Sequence, residues 1–131
     1  MDLYWNAYGV TGMLKAAFTL IIGIFVYLQK KDSATNFAFL IFSLAISEWS
    51  FFSALHAMVN SPQLCLLFSK ICHIGALFIA VFFYYFTQKI IGKKFRASTI
   101  AGFLLGILLA IINFKTSLFI PGTRTDVGVL Y

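Results

Sequence analysis

Four stretches of the chain are almost wholly apolar, and short polar or basic segments separate them. The first runs from about Ala7 to Leu28 and stops at Lys30-Lys31-Asp32. The second runs from about Thr35 to Val59 and meets Asn60-Ser61-Pro62, a tight turn whose proline cannot continue the preceding helix. The third extends from Leu64 to about Gln88, ahead of a basic stretch holding Lys89, Lys93, Lys94 and Arg96. The fourth, from Ser98 to about Phe114, is short and carries no charge. A membrane helix needs roughly 20 apolar residues. The pattern therefore predicts an all-α membrane protein, an antiparallel bundle of four transmembrane helices. The membrane-spanning region is expected to take in residues 1–131, with an outer tail over 115–131.

Composition sharpens this reading. Hydrophobic residues make up 61% of the 131 positions and charged residues 11%, against about 25% charged in a soluble domain. Mean hydropathy is +0.93. Water could not solvate such a surface, so the lipid bilayer is the expected partner. Aromatic residues reach 18%, and Tyr4, Trp5 and Tyr8 stand at the start of the first run, where a headgroup-level belt belongs. The net charge of +6 does not point to nucleic acid, because the basic residues sit at the ends of apolar runs. Cys65 and Cys72 are seven residues apart in one run, about 10.5 Å of helical rise, too far for a disulfide. They read as buried free thiols. No basic segment precedes the first run, so a cleavable signal peptide is not expected.

Positive charge chooses the sides. The 29–34 segment carries two basic residues and the 88–97 segment four, whereas the leader and the 60–63 turn carry none. The tail holds Lys115 and Arg124. By the positive-inside rule the two basic loops face the cytoplasm of the cell, and the N-terminus, the 60–63 turn and the tail face outward. A chain that ends outside with no domain attached is expected to be the front portion of a longer protein. A complete small four-helix protein is the alternative.

Ionisable groups in hydrocarbon are costly and are candidate functional groups by default. Lys15, Glu48, His56, Lys70 and His73 fall inside the runs. Helical rise puts Glu48 about 16 Å, Lys15 about 12 Å, Lys70 about 9 Å and His73 about 13 Å from the outer ends of their helices. This common depth predicts a Lys15–Glu48–Lys70–His73 layer, with Glu48 paired to Lys70 or Lys15, an arrangement that offsets desolvation. His56 lies eight residues after Glu48, roughly 80° round the helix and nearer the rim. Three readings of the cluster stay open: a polar lock that fixes helix packing, a lining for a ligand or signal cavity, and a proton or ion path. Glu48, His56 and His73 are too few and too loosely spaced for a metal site, and no cofactor is expected. Gly102 and Gly106 form a small-xxx-small pattern that allows close helix approach and leaves a homodimer open. No phosphate-cradling glycine loop and no nucleophile–base set can be assembled.

Two motifs carry a family resemblance. The stretch from Ser47 to His56 (SEWSFFSALH) resembles the second-helix signature of the seven-transmembrane N-terminal input region of bacterial sensor histidine kinases. There a tryptophan precedes a leucine and usually an acidic residue; Trp49 and Leu55 match, and His56 stands in the acidic place. The stretch from Phe68 to Gly75 (FSKICHIG) is similar to the element that opens the third helix. Lys70 and Gly75 match, Phe68 replaces a usual tryptophan, His73 a usual tyrosine, and Ala80-Val81-Phe82 a common proline. Asn113-Phe114, Leu118 to Gly122 and Gly128 to Tyr131 are similar to the family's outer loop between helices four and five. The resemblance covers about Phe37 to Tyr131. It implies the first four helices of a seven-helix bundle, followed by a cytoplasmic sensor and kinase region.

Function then divides between two classes. A signal-input module would sense an extracellular small molecule or a membrane signal and bias a kinase part, with no catalysis within this chain. A small proton-coupled transporter would use Glu48 as its coupling site. Pairing of Glu48 with a lysine would argue against the transporter, since a paired carboxylate stays ionised.

Overall fold

In a computed structural model, residues 5–92 and 97–115 are described. They form four helices: α1 (Ala7–Gln29), α2 (Ala34–Met58), α3 (Pro62–Ile90) and α4 (Ala97–Lys115). All four are long and apolar enough to cross a membrane. Lys93, Lys94 and Arg96 of the second basic loop, Tyr4, and the tail elements from residue 116 onward lie outside the described residues. The third helix starts at Pro62 and not at Leu64, because a proline at the first helical position gives up only an N–H that had no partner anyway.

Local chemistry sets the helix ends. The Asn6 side chain accepts a hydrogen bond from Gly9 N at 2.6 Å, capping α1, while its Nδ2 donates to Ala57 O at 2.7 Å. One residue thus starts α1 and ties it to the end of α2. Ser33 caps α2 by accepting from Asn36 N at 3.3 Å. Asn36 Nδ2 in turn donates to Val26 O at 2.9 Å, which occupies a carbonyl in the last turn of α1. At the other end of α3, Gly92 adopts a φ of 69°, a conformation that a side chain would strain.

The helices stand in chain order, α1 on α2, α2 on α3 and α3 on α4, with no packing of α1 on α3 or of α2 on α4 among the described residues. Each seam has its own chemistry. Between α1 and α2 small residues meet: Gly9 lies under Met58, Gly12 faces Ala54 and Gly23 faces Ser43. Ser47 Oγ donates to Ala16 O at 2.9 Å. Lipid provides no hydrophobic force between helices, so this close approach supplies the attraction. The α2–α3 seam is built from rings, with Phe39 and Phe86 5.3 Å apart and Phe42 and Phe83 5.5 Å apart. The α3–α4 seam is pinned by polar groups at both ends, as Thr99 Oγ1 donates to Gln88 Oε1 at 2.8 Å and Asn113 Nδ2 to Lys70 O at 2.9 Å. Phe78 packs on Gly106 midway.

A Cβ at Gly12 would come within 2.9 Å of the Ala54 Cβ, whereas one at Gly102 meets nothing nearer than 3.7 Å. Gly12→Leu is therefore expected to lower stability in thermal unfolding of the detergent-solubilised chain by about 1–3 kcal/mol. Gly102→Leu should leave it within about 0.5 kcal/mol.

Candidate functional site

Glu48 sits midway along α2 and faces α3. Its carboxyl group rests against Gly75, in space that a side chain at position 75 would fill. Oε2 is buried and has no hydrogen-bond partner among the described residues. Trp49 packs on the same glycine, and its backbone carbonyl accepts a hydrogen bond from the Cys72 thiol at 3.5 Å. Two apolar cavities meet at Glu48. One, of about 330 Å³, lies between α2 and α3 against Ile74, Phe78 and Phe82. The other, of about 420 Å³, lies between α1 and α2 against Met13, Leu20 and Phe52. Leu44 and Glu48 line both. Against such walls a donor that reached Oε2 would meet little competition from water, and a hydrogen bond there is stronger than one in water.

The expected layer of Lys15, Glu48, Lys70 and His73 does not assemble. Lys15 Nζ lies over the Trp49 ring, 4.8 Å from its centroid, on the side of the α1–α2 seam away from Glu48. Lys70 Nζ donates to Phe114 O at 3.1 Å and so belongs to the α3–α4 contact. The reason is angular. Lys70 precedes Gly75 by five residues, which turns it about 140° round α3 from the face that meets Glu48. His73, two residues before Gly75, is turned about 160° away; its Nδ1 donates to Ser69 O of its own helix at 2.7 Å. His56 meets Cys65 instead, with Sγ 3.2 Å from Nδ1 and 3.7 Å from Nε2. Glu48, His56 and His73 therefore do not converge, and among the described residues no three His, Cys, Asp or Glu groups do so in a way that could hold a metal ion. Cys65 and Cys72 are free thiols.

Of the residues that carry the family resemblance, Trp49 and Gly75 form the seat of Glu48. Lys70 binds α4, and the Leu55 carbonyl accepts from Val59 N at 3.1 Å where α2 ends. Sequence reasoning missed the role of Gly75 as the surface under the carboxyl group. It read Asn113 only as the start of the outer loop after helix four, whereas the residue lies within α4, and it gave Gln88 and Thr99 no role; all three are buried. Their signal was available, as each is a hydrogen-bonding side chain in or beside an apolar run.

Replacing Thr99 by Val would leave Gln88 Oε1 without its partner in a buried position. The expected loss is about 1–3 kcal/mol, read as a lower unfolding midpoint. Hydrogen exchange in α4 should rise more than in α1.

A family model described as the N-terminal 7TM region of histidine kinase matches residues 13–123. No curated protein and no solved structure matches the chain.

Proposed function

We propose, since the chain belongs to the family of N-terminal seven-transmembrane regions of histidine kinases, that it is the membrane-embedded signal-input region of such a kinase. The signal, an extracellular or membrane-borne small molecule, acts in the outer half of the bilayer, and its effect passes to a kinase part outside this chain. In this reading the N-terminus faces outward and the basic segments at Lys30, Lys31 and Lys89 face the cytoplasm, as the distribution of positive charge favours. The family is a sensor-input region and not a catalytic domain, so this segment contributes switching and no bond chemistry.

The observation that carries the proposal is the Glu48 carboxyl group, seated on Gly75 with Oε2 unpaired at the edge of two cavities. A ligand can shift a helix packing only by binding one packing better than another. A carboxyl oxygen without a partner supplies that difference, because a donor that satisfies it favours the arrangement in which it is reachable. Glu48 and Gly75 are thus the residues through which the signal acts. Trp49 holds the seat, while Lys70, His73, Lys15 and His56 act at other contacts.

The same observation gives weight to a second reading. No lysine pairs with Glu48 among the described residues, so the pairing that would have argued against a proton-coupled transporter is absent. One variant separates the two. In membranes holding the intact gene product, Glu48→Gln is expected to change histidine autophosphorylation severalfold, within the roughly 5–150-fold range of allosteric couplings. Gly75→Ala, which displaces the carboxyl group, should shift it as well. Loss of proton-coupled uptake in proteoliposomes, with no histidine phosphorylation in the parent protein, would establish the transporter and sink the sensor.

A further inference from the structure

The α1–α2 seam has a second side, turned away from Glu48, and its lining is polar. A cavity of about 130 Å³ opens there between Tyr8, Thr11, Gly12, Lys15, Ser50 and Ser53. That is several times the roughly 30 Å³ share of one liquid water. Ser50 is 1% exposed, and its Oγ has no hydrogen-bond partner among the described residues. A buried hydroxyl left unpaired is destabilising, so this position calls for a partner that the described residues do not provide. Tyr8 Oη and Ser53 Oγ lie 3.1 Å apart and share one hydrogen bond, which leaves one of the two hydroxyl protons free to be donated. Thr11 has already committed its proton, to Ala7 O at 2.8 Å.

Lys15 adds an ammonium group with three N–H donors. It rests on the Trp49 ring and is not paired with a carboxylate among the described residues. Of the described acidic residues, Asp32 lies in the turn after α1 and Glu48 lines the other side of the seam. A cation placed about 12 Å along α1, with no counter-charge among the described residues, is costly in hydrocarbon. The cavity therefore gathers one positive charge and hydroxyl donors, and no carboxylate lines it.

We infer that this cavity binds a small oxyanion, a carboxylate or a phosphate group, held by the Lys15 ammonium, the Ser50 hydroxyl and the Tyr8–Ser53 pair. The oxyanion comes from a free anion or from the phosphate of a lipid headgroup, which present the same chemistry to the site. This site is separate from the Glu48 seat and does not depend on it.

The chain has two tryptophans, so a Trp5→Phe background leaves Trp49, beside Lys15, as the reporter. The full chain is placed in maltoside micelles, which contain no phosphate, and Trp49 fluorescence is followed. Inorganic phosphate and acetate are titrated in one arm, and phosphatidylglycerol in the other. A saturable change with phosphate or acetate supports the site with a free anion as its ligand. A change with phosphatidylglycerol alone supports it with a lipid phosphate. In either case Lys15→Gln is expected to weaken binding about tenfold or more, as loss of a hydrogen bond to a charged group does. Ser50→Ala should weaken it severalfold, and Lys89→Gln, which removes the cation over the Tyr85 ring, should leave it unchanged. No response in either arm, or a response that survives Lys15→Gln with helicity intact, overturns the proposal.

Discussion

Hydrocarbon offers a polar group no water, so each one must find its partner within the protein or go without. Most of what holds this fold together follows from that constraint. Asn6 and Asn36 occupy backbone groups at the helix ends and, in doing so, join α1 to α2. Asn113 and Thr99 fix α4 against α3. Lys70, whose charge would otherwise sit in lipid, reaches the Phe114 carbonyl near the end of α4. Apolar side chains cannot do this work, because lipid tails are as apolar as they are. They fill the space that the polar bonds and the small residues leave.

The exceptions carry the functional interest. Three buried side-chain atoms lack a partner among the described residues, Asn113 Oδ1, Glu48 Oε2 and Ser50 Oγ, and the last two lie two residues apart on α2. Two residues turn about 200° round a helix, so the two atoms open on opposite sides of the seam with α1. One side is walled by leucine, methionine and phenylalanine, and the other by hydroxyls and an ammonium group. A single stretch of α2 thus presents an acceptor to one side and a donor to the other. Trp49, between them, touches both environments, through Gly75 on one hand and Lys15 on the other.

The spans were legible because a run of apolar residues bounded by Lys30-Lys31 or by Asn60-Ser61-Pro62 needs no tertiary information to be read. Helical rise gave an expected depth for Glu48, Lys15, Lys70 and His73. Depth is one coordinate, however, and a contact needs the angle as well. Which face of α3 turns toward α2 is decided by Gly75, Cys72 and the phenylalanine rings together, and no local pattern around Lys70 reveals it. The motif residues did better. Trp49 and Gly75 were marked by resemblance and stand at the seat of Glu48, although nothing in the sequence indicated that the glycine serves the carboxyl group.

The three seams are held by unequal chemistry. Amide and hydroxyl hydrogen bonds of 2.7–2.9 Å tie α1 to α2 and α3 to α4. The α2–α3 seam holds rings, thiols and the long bond from Thr35 Oγ1 to Lys89 O at 3.4 Å. Rings and thiols tolerate sliding that a short amide bond does not. The Glu48 carboxyl group, resting on Gly75, thus sits in the seam that rings and thiols hold, and the short bonds of Asn6, Asn36, Thr99 and Asn113 close the two outer seams.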